Sequence, residues 1–113
     1  MPGKSRSLFG VELRYALTFQ LFQHGAATVP ELIDALHYHH FAISGRASKA
    51  VSDALRWEIA HGRVRRLARG RYAPAEMPRA TEIRIRDRVL ALRSEAALIA
   101  AEDIDAFWHS LGA

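Results

Sequence analysis

The cationic side chains of this 113-residue chain are concentrated in one stretch. Residues 44–75 hold eight Lys or Arg against two carboxylates, whereas residues 1–43 hold three of each. The eight are Arg46, Lys49, Arg56, Arg63, Arg65, Arg66, Arg69 and Arg71. Arginine presents a planar fork of N–H donors that can bind a phosphate or the edge of a guanine in two places. A basic stripe of this kind predicts binding to a nucleic-acid backbone, and a solvated Arg-rich surface is the alternative.

Two predicted helices precede the basic stretch. Residues 8–24 carry a wide apolar stripe, and Gly25 suits the position just past a helix end. Thr28 can cap a second helix that has Pro30 in its first turn. Glu31, three residues after the cap, completes the pattern of a capping box.

A third helix, predicted at 46–61, follows a short apolar run at 41–43 that suits a small strand. Its apolar positions share one side of the helix: Ala47, Val51, Leu55 and Ile59. Its polar positions share the other side: Arg46, Lys49, Ser52, Asp53 and Arg56. Ser48 lies nearer the flank, and Gly62 ends the helix.

Residues 63–74 read as a β-hairpin. Arg69-Gly70 stands where a tight turn needs positive φ. Val64, Leu67 and Tyr72 are the expected apolar contacts of the hairpin. The spacing of three between Val64 and Leu67 breaks strict alternation, which predicts a bulge near the tip.

The C-terminal segment 79–113 contains no Pro or Gly between Arg79 and Ser110. Apolar residues recur there every seven positions: Ile83, Leu90, Ala97, Ile104 and Leu111. This pattern predicts one long helix, or two helices broken near Ser94 or Asp103. A single helix would be about 48 Å long, more than a small domain can cover. We therefore expect a homodimer contact here; the alternative is a monomer in which the helix folds back over the first helix.

The order of elements in residues 8–75 resembles the winged helix-turn-helix domain of bacterial transcriptional regulators and of some antitoxin N-terminal domains. In that family a helix runs into Gly, an apolar residue, an Arg-rich strand and then Gly-x-Tyr. The matching positions here are Gly62, Val64, Leu67, Gly70 and Tyr72. The resemblance implies a mainly α fold with a small β-hairpin (α+β), followed by a C-terminal helical extension.

The resemblance also implies sequence-specific binding of double-stranded DNA in transcriptional regulation. Helix 46–61 would enter the major groove, and the wing, 63–74, would contact the backbone or minor groove. The expected DNA-binding residues are Arg46, Ser48, Lys49, Ser52 and Arg56 of the helix, and Arg63, Arg65, Arg66, Arg69 and Arg71 of the wing. The alternatives are a protein-interaction winged helix (an antitoxin or complex subunit) and non-specific nucleoid-type binding of DNA or RNA.

Other classes of function lack a signature. The chain has no Cys, no Walker-type phosphate loop, no dinucleotide-binding glycine pattern and no nucleophile elbow, so we expect neither an enzyme nor a cofactor. His37 and His40 share a helix face and could hold a metal ion. No carboxylate stands at a helpful spacing beside them, so we expect no metal site.

Location and chain ends are also predicted. No apolar run reaches the length of a membrane span, and no apolar run follows the basic N-terminus, so we expect neither a membrane segment nor a signal peptide. The Ala- and Arg-rich composition suits a bacterial protein, with the cytoplasm as the expected location. Residues 1–7 are expected to form a flexible basic N-terminus.

Overall fold

Four helices and five short strands make up the part of the chain that the computed structural model describes, residues 4–112. In chain order they are β1 (Arg6–Leu8), α1 (Gly10–His24), β2 (Ala27–Thr28), α2 (Val29–Tyr38), β3 (Phe41–Ile43), α3 (Ala47–Ala60), β4 (Val64–Ala68), β5 (Arg71–Pro74) and α4 (Arg79–Gly112). The fold is therefore mainly helical with a small antiparallel sheet, as the sequence predicted.

The start of α2 is held by the predicted capping box. The Thr28 hydroxyl accepts a hydrogen bond from the Glu31 backbone N–H at 3.3 Å, and the Glu31 carboxylate accepts one from the Thr28 backbone N–H at 2.9 Å. The pKa of Glu31 is lowered chiefly by the hydrogen bond from the Thr28 backbone N–H, because that bond favours the charged carboxylate. Two of the backbone donors that every helix start leaves unpaired are thereby satisfied.

The N-terminal segment is a strand from Arg6 onward, so the prediction of flexibility is wrong for Arg6 and Ser7. Strand β1 pairs in parallel with β3 and buries Leu8 in the core. The Arg6 guanidinium donates to both carboxylate oxygens of Glu12, at 3.1 and 2.9 Å, and to Glu95 at 3.0 Å. Residues 1–3 of the same prediction lie outside the described residues.

Strands β4 and β5 form the predicted hairpin, and β2 adds a third strand in the order β2-β5-β4. The register shifts between Arg66 and Ala68, which confirms the predicted bulge. Val64 and Tyr72 are buried, as expected. Leu67 is 46% exposed, so the prediction that it supplies an apolar contact is wrong. Leu67 falls at the register shift and has no cross-strand partner, so the pairing of β4 with β5 does not hold it against the core.

Helix α4 is one continuous helix of 34 residues, which decides between the two predicted forms. One face of α4 is buried and packs mainly on α1. The buried residues of this face are Ile85, Val89, Leu92, Ala96 and Ala100. This face is not the seven-residue series seen in the sequence. Leu90, Ile104 and Leu111 of that series are 44%, 46% and 63% exposed. The helix thus folds back over α1 and still presents a second apolar face to solvent.

Substitutions on α4 should show which face holds the fold together. Leu92→Ala is expected to lower the free energy of unfolding by about 2–5 kcal/mol, because a fully buried side chain leaves a cavity. Leu98 is 63% exposed on the same helix, so Leu98→Ala should change it by no more than about 0.5 kcal/mol. Urea unfolding followed by circular dichroism measures both. Equal losses would contradict this assignment of the buried face.

Candidate nucleic-acid interface

The outer side of α3 is open to solvent. Val51, Ala54 and Leu55 are buried on the inner side, where α3 packs against α1 and α2. The predicted site residues lie on the opposite side: Arg46, Ser48, Lys49 and Arg56 are exposed, and Ser52 is half-buried. Arg46 is the residue that precedes the first turn of α3. No element within residues 4–112 covers these side chains, so a ligand as large as a nucleic acid can reach them.

Asp53 organises two of the cations on α3. Its carboxylate lies 2.7 Å from the Lys49 ammonium, one turn before it, and 3.4 Å from the Arg56 guanidinium, three residues after it. The hydrogen bond from Lys49 is the main reason that the pKa of Asp53 is lowered. Exposed ion pairs of this kind are screened by water and contribute little to stability. Lys49 and Arg56 are therefore held in place, yet they can exchange Asp53 for another anion at little cost.

The hairpin carries a second group of cations. Arg65, Arg66, Arg69 and Arg71 are all exposed, and residues 63–74 contain no carboxylate. Arg65 and Arg66 each donate through Nε to a hairpin carbonyl oxygen, of Pro74 and Ala68 respectively, at 3.3 Å. These bonds use one of the five donors of each guanidinium. Gly70, with φ of 72°, closes the turn that brings Arg69 and Arg71 together.

Arg63 stands apart from the other predicted site residues. Its guanidinium donates to both carboxylate oxygens of Glu58, at 3.0 and 2.6 Å, and only 20% of its side chain is exposed. Glu58 is fully buried, and the Thr18 hydroxyl donates to the same carboxylate at 2.5 Å. Arg63 has a raised pKa, chiefly because of its hydrogen bonds to Glu58. We therefore assign Arg63 to the support of the site and not to its surface.

The sequence analysis missed Glu58 and Thr18 as parts of this support. A signal was present, because Glu58 follows Val51 by seven residues and Leu55 by three. That spacing places a carboxylate on the apolar side of α3, where a charged group needs a partner. Arg63 is the first cation after the Gly62 turn.

Trp57 forms a stacked cluster at the edge of α3. Its ring lies 4.4 Å from that of His61 at 20° between planes, and the Arg14 guanidinium lies 4.6 Å from the Trp57 ring centre. Such a cation over an aromatic face is favourable. The cluster brings Arg14 of α1, which the sequence analysis did not single out, next to the α3 surface.

The histidines at the end of α2 do not assemble a metal site in the structure. Residues 4–112 contain no group of three or more His, Cys, Asp or Glu side chains placed to hold a metal ion. His37 and His40 are exposed, whereas His39 is half-buried.

Within residues 4–112, no helix has the length and apolar character needed to cross a bilayer.

Comparisons with protein-family models, with characterised proteins and with solved structures return no match. What the protein does must therefore be inferred from its own residues and their geometry.

The partly buried His39 predicts a pH-dependent stability. Its pKa is lowered by burial and, to a smaller extent, by the charges of Arg93, His24 and His40. The unfolded chain then takes up a proton more readily than the folded one, so this stability is present above about pH 6.5 and is lost as the pH falls below it. His39→Gln should lose less stability than the wild type between about pH 7.5 and 5.5 in urea unfolding. The exposed control His37→Gln should lose as much as the wild type, and equal losses for both variants would contradict the assignment.

The role of Arg63 can be separated from DNA contact by stability alone. Arg63→Ala should lower the free energy of unfolding by about 3–5 kcal/mol, because it leaves the buried Glu58 carboxylate without its cationic partner. Arg69→Ala, at the exposed hairpin turn, is the matched control and should change it by no more than about 0.5 kcal/mol. Chemical unfolding measures both. If both variants change the free energy of unfolding by the same small amount, Arg63 belongs to the exposed candidate surface and not to its support.

Proposed function

We propose that this protein binds double-stranded DNA sequence-specifically through a winged helix-turn-helix domain and acts in transcriptional regulation. Helix α3 would lie in the major groove, and the β4–β5 hairpin would contact the backbone or the minor groove. One observation carries the proposal: the uncovered, cationic side of α3 leads within a few residues into a hairpin with four exposed arginines.

The side chains on α3 suit the major groove. Lys49, Ser52 and Arg56 follow one another at spacings of three and four, so they share one face of the helix. The major groove of B-DNA admits an α-helix. The guanine edge in that groove offers two acceptors, and one Arg side chain can donate hydrogen bonds to both. Asp53 holds Lys49 and Arg56 ready on this face. Arg56 is thus the residue best suited to read a base, with Lys49 and Ser52 beside it.

The hairpin suits the phosphate backbone. Arg65 and Arg66 on β4, Arg69 in the turn and Arg71 on β5 concentrate positive charge on one short hairpin. Phosphate contacts supply affinity without sequence preference and make binding depend steeply on salt. The Glu58–Arg63 pair joins the end of α3 to the start of β4, which holds the reading helix and the hairpin in one arrangement.

The proposal includes a homodimer formed through α4. Four members of the seven-residue apolar series, Leu90, Ala97, Ile104 and Leu111, are exposed, although a neighbouring face of the same helix is packed on α1. Two-fold pairing is the commonest way in which proteins bury such a surface. A two-fold dimer would read two half-sites about 10 base pairs apart or a multiple of that spacing.

Two arginine substitutions distinguish base recognition from phosphate contact. Arg69→Ala should weaken binding to all duplexes by a similar factor and make the salt dependence shallower, because it removes a phosphate contact. Arg56→Ala should relax the preference at one base position, at a cost of about 1–3 kcal/mol for the preferred base. Fluorescence anisotropy on a selected duplex and its single-base variants, at several salt concentrations, measures both.

Arg84→Ala on α4 is the control for lost net charge and should leave DNA affinity nearly unchanged. A uniform loss from Arg56→Ala would contradict the assignment of α3 as the reading helix. Equal affinity for every duplex would favour nucleoid-type binding instead. Absence of duplex binding at low salt would favour a protein-interaction module.

A further inference from the structure

Helix α4 carries an exposed apolar stripe that the rest of the described chain leaves uncovered. We call it the heptad stripe, and its members are Leu90, Ala97, Ala101, Ile104, Trp108 and Leu111. Trp108 is 64% exposed and Leu111 63%. At 100° per residue, the stripe lies roughly a quarter turn or more around the helix from the buried face. Contiguous exposed apolar side chains of this size mark an interaction surface.

The end of α4 projects from the body of the protein. Buried side chains end at Ala100, and residues 101–112 continue the helix for about 18 Å. The longest dimension of the described chain is 53 Å, against 30 and 21 Å for the others. A short helix without packing is only marginally stable in water. The heptad stripe along this projection therefore gives it a surface that a partner helix can pack on.

The charges along α4 indicate which partner fits. Residues 79–93 hold five Arg against two carboxylates, whereas residues 94–112 hold four carboxylates and no Lys or Arg. A second copy of α4 in parallel would place like charges side by side. In the antiparallel orientation, the basic half of each helix lies beside the acidic half of the other. The two helix dipoles also point in opposite directions, which is the favourable arrangement for neighbouring dipoles.

One acidic side chain of this segment, Asp105, remains for such a partner. Glu95 binds Arg6, and Asp103 accepts a hydrogen bond from the Lys4 backbone. Glu102 and Asp105 form no ion pair with any residue of the range 4–112. Asp105 lies about 80° around the helix from Ala97, at the flank of the heptad stripe, whereas Glu102 lies about 140° around it and faces away from such a partner.

We propose that two copies of this chain pair antiparallel through the heptad stripe, with the two-fold axis close to Ala97. This inference rests on the homodimer of the proposed function and adds the face, orientation and register. Symmetry about Ala97 sets Leu90 of one copy opposite Ile104 of the other. The same register sets Arg86 level with the second copy's Trp108, where a cation can meet an aromatic ring. The small Ala97 side chain allows the two backbones to approach closely at the crossing.

Single cysteines report the orientation directly, because the chain has no Cys of its own. The full-length variants are Leu90→Cys, Ile104→Cys and Ala97→Cys. In the antiparallel pair, the two copies of position 90 are separated by about 21 Å along the helix, and a disulfide needs Cα atoms within about 7 Å. Leu90→Cys and Ile104→Cys, one of them tagged, are mixed, allowed to exchange and oxidised. We expect disulfide-linked dimers from this mixture and from Ala97→Cys alone, and none from Leu90→Cys alone.

Each result decides the inference. Efficient linkage of Leu90→Cys to itself would show a parallel pair and overturn the orientation, while the homodimer would stand. If the wild-type protein has the mass of a single chain in sedimentation equilibrium, the dimer and the inference are both overturned. A dimer mass without linkage in any variant would overturn the stripe as the contact. Ala106→Cys lies about 200° around the helix from Ile104 and is the matched control for Ile104→Cys. Mixed with Leu90→Cys in the same way, it should remain unlinked. Duplex binding is measured independently, so its failure is distinguishable from all of these.

Discussion

The candidate surface depends on the buried ion pair between Glu58 and Arg63. Removing a carboxylate from water is costly unless its oxygens are fully bonded, and here both oxygens of Glu58 accept from Arg63 while Thr18 adds a third donor. The pair spans the Gly62 turn, so it joins the end of α3 to the first strand of the hairpin. Thr18 anchors the same carboxylate to α1. The two cationic elements thus share one rigid base.

Helix α4 serves two surfaces at once. Its buried face completes the core through residues such as Leu92, so the helix is a part of the fold and not a detachable extension. Its heptad stripe faces solvent, and the charge of the helix changes sign along its length. A helix that is apolar on two sides can pack on its own domain and on a second chain simultaneously. This explains why the sequence offered both a folded-back monomer and a dimer: the structure contains the first and leaves room for the second.

Local rules predicted much of the fold. The Thr28 capping box, the strand at Phe41–Ile43, the third helix, the hairpin and its bulge all follow from residues a few positions apart. Strand β1 was missed because a three-residue strand has no periodicity of its own and forms only by pairing with β3. Leu67 was placed wrongly because an apolar side chain at a bulge can face either way. The outward position of the α3 cations could be read from helical spacing, whereas the role of Arg63 depends on a partner five residues earlier and on burial.

The sequence by itself determined the helices and the hairpin, the separation of basic and acidic segments, and the seven-residue apolar series of α4, because these follow from side-chain type and backbone period. Only the tertiary structure decided which face of α4 is covered, which arginine is held inward and which cations stay in solvent. Those outcomes depend on contacts between residues far apart in the chain, such as Thr18 with Glu58 and Arg6 with Glu95. Spacing along one helix says which side chains share a face, but not what that face meets.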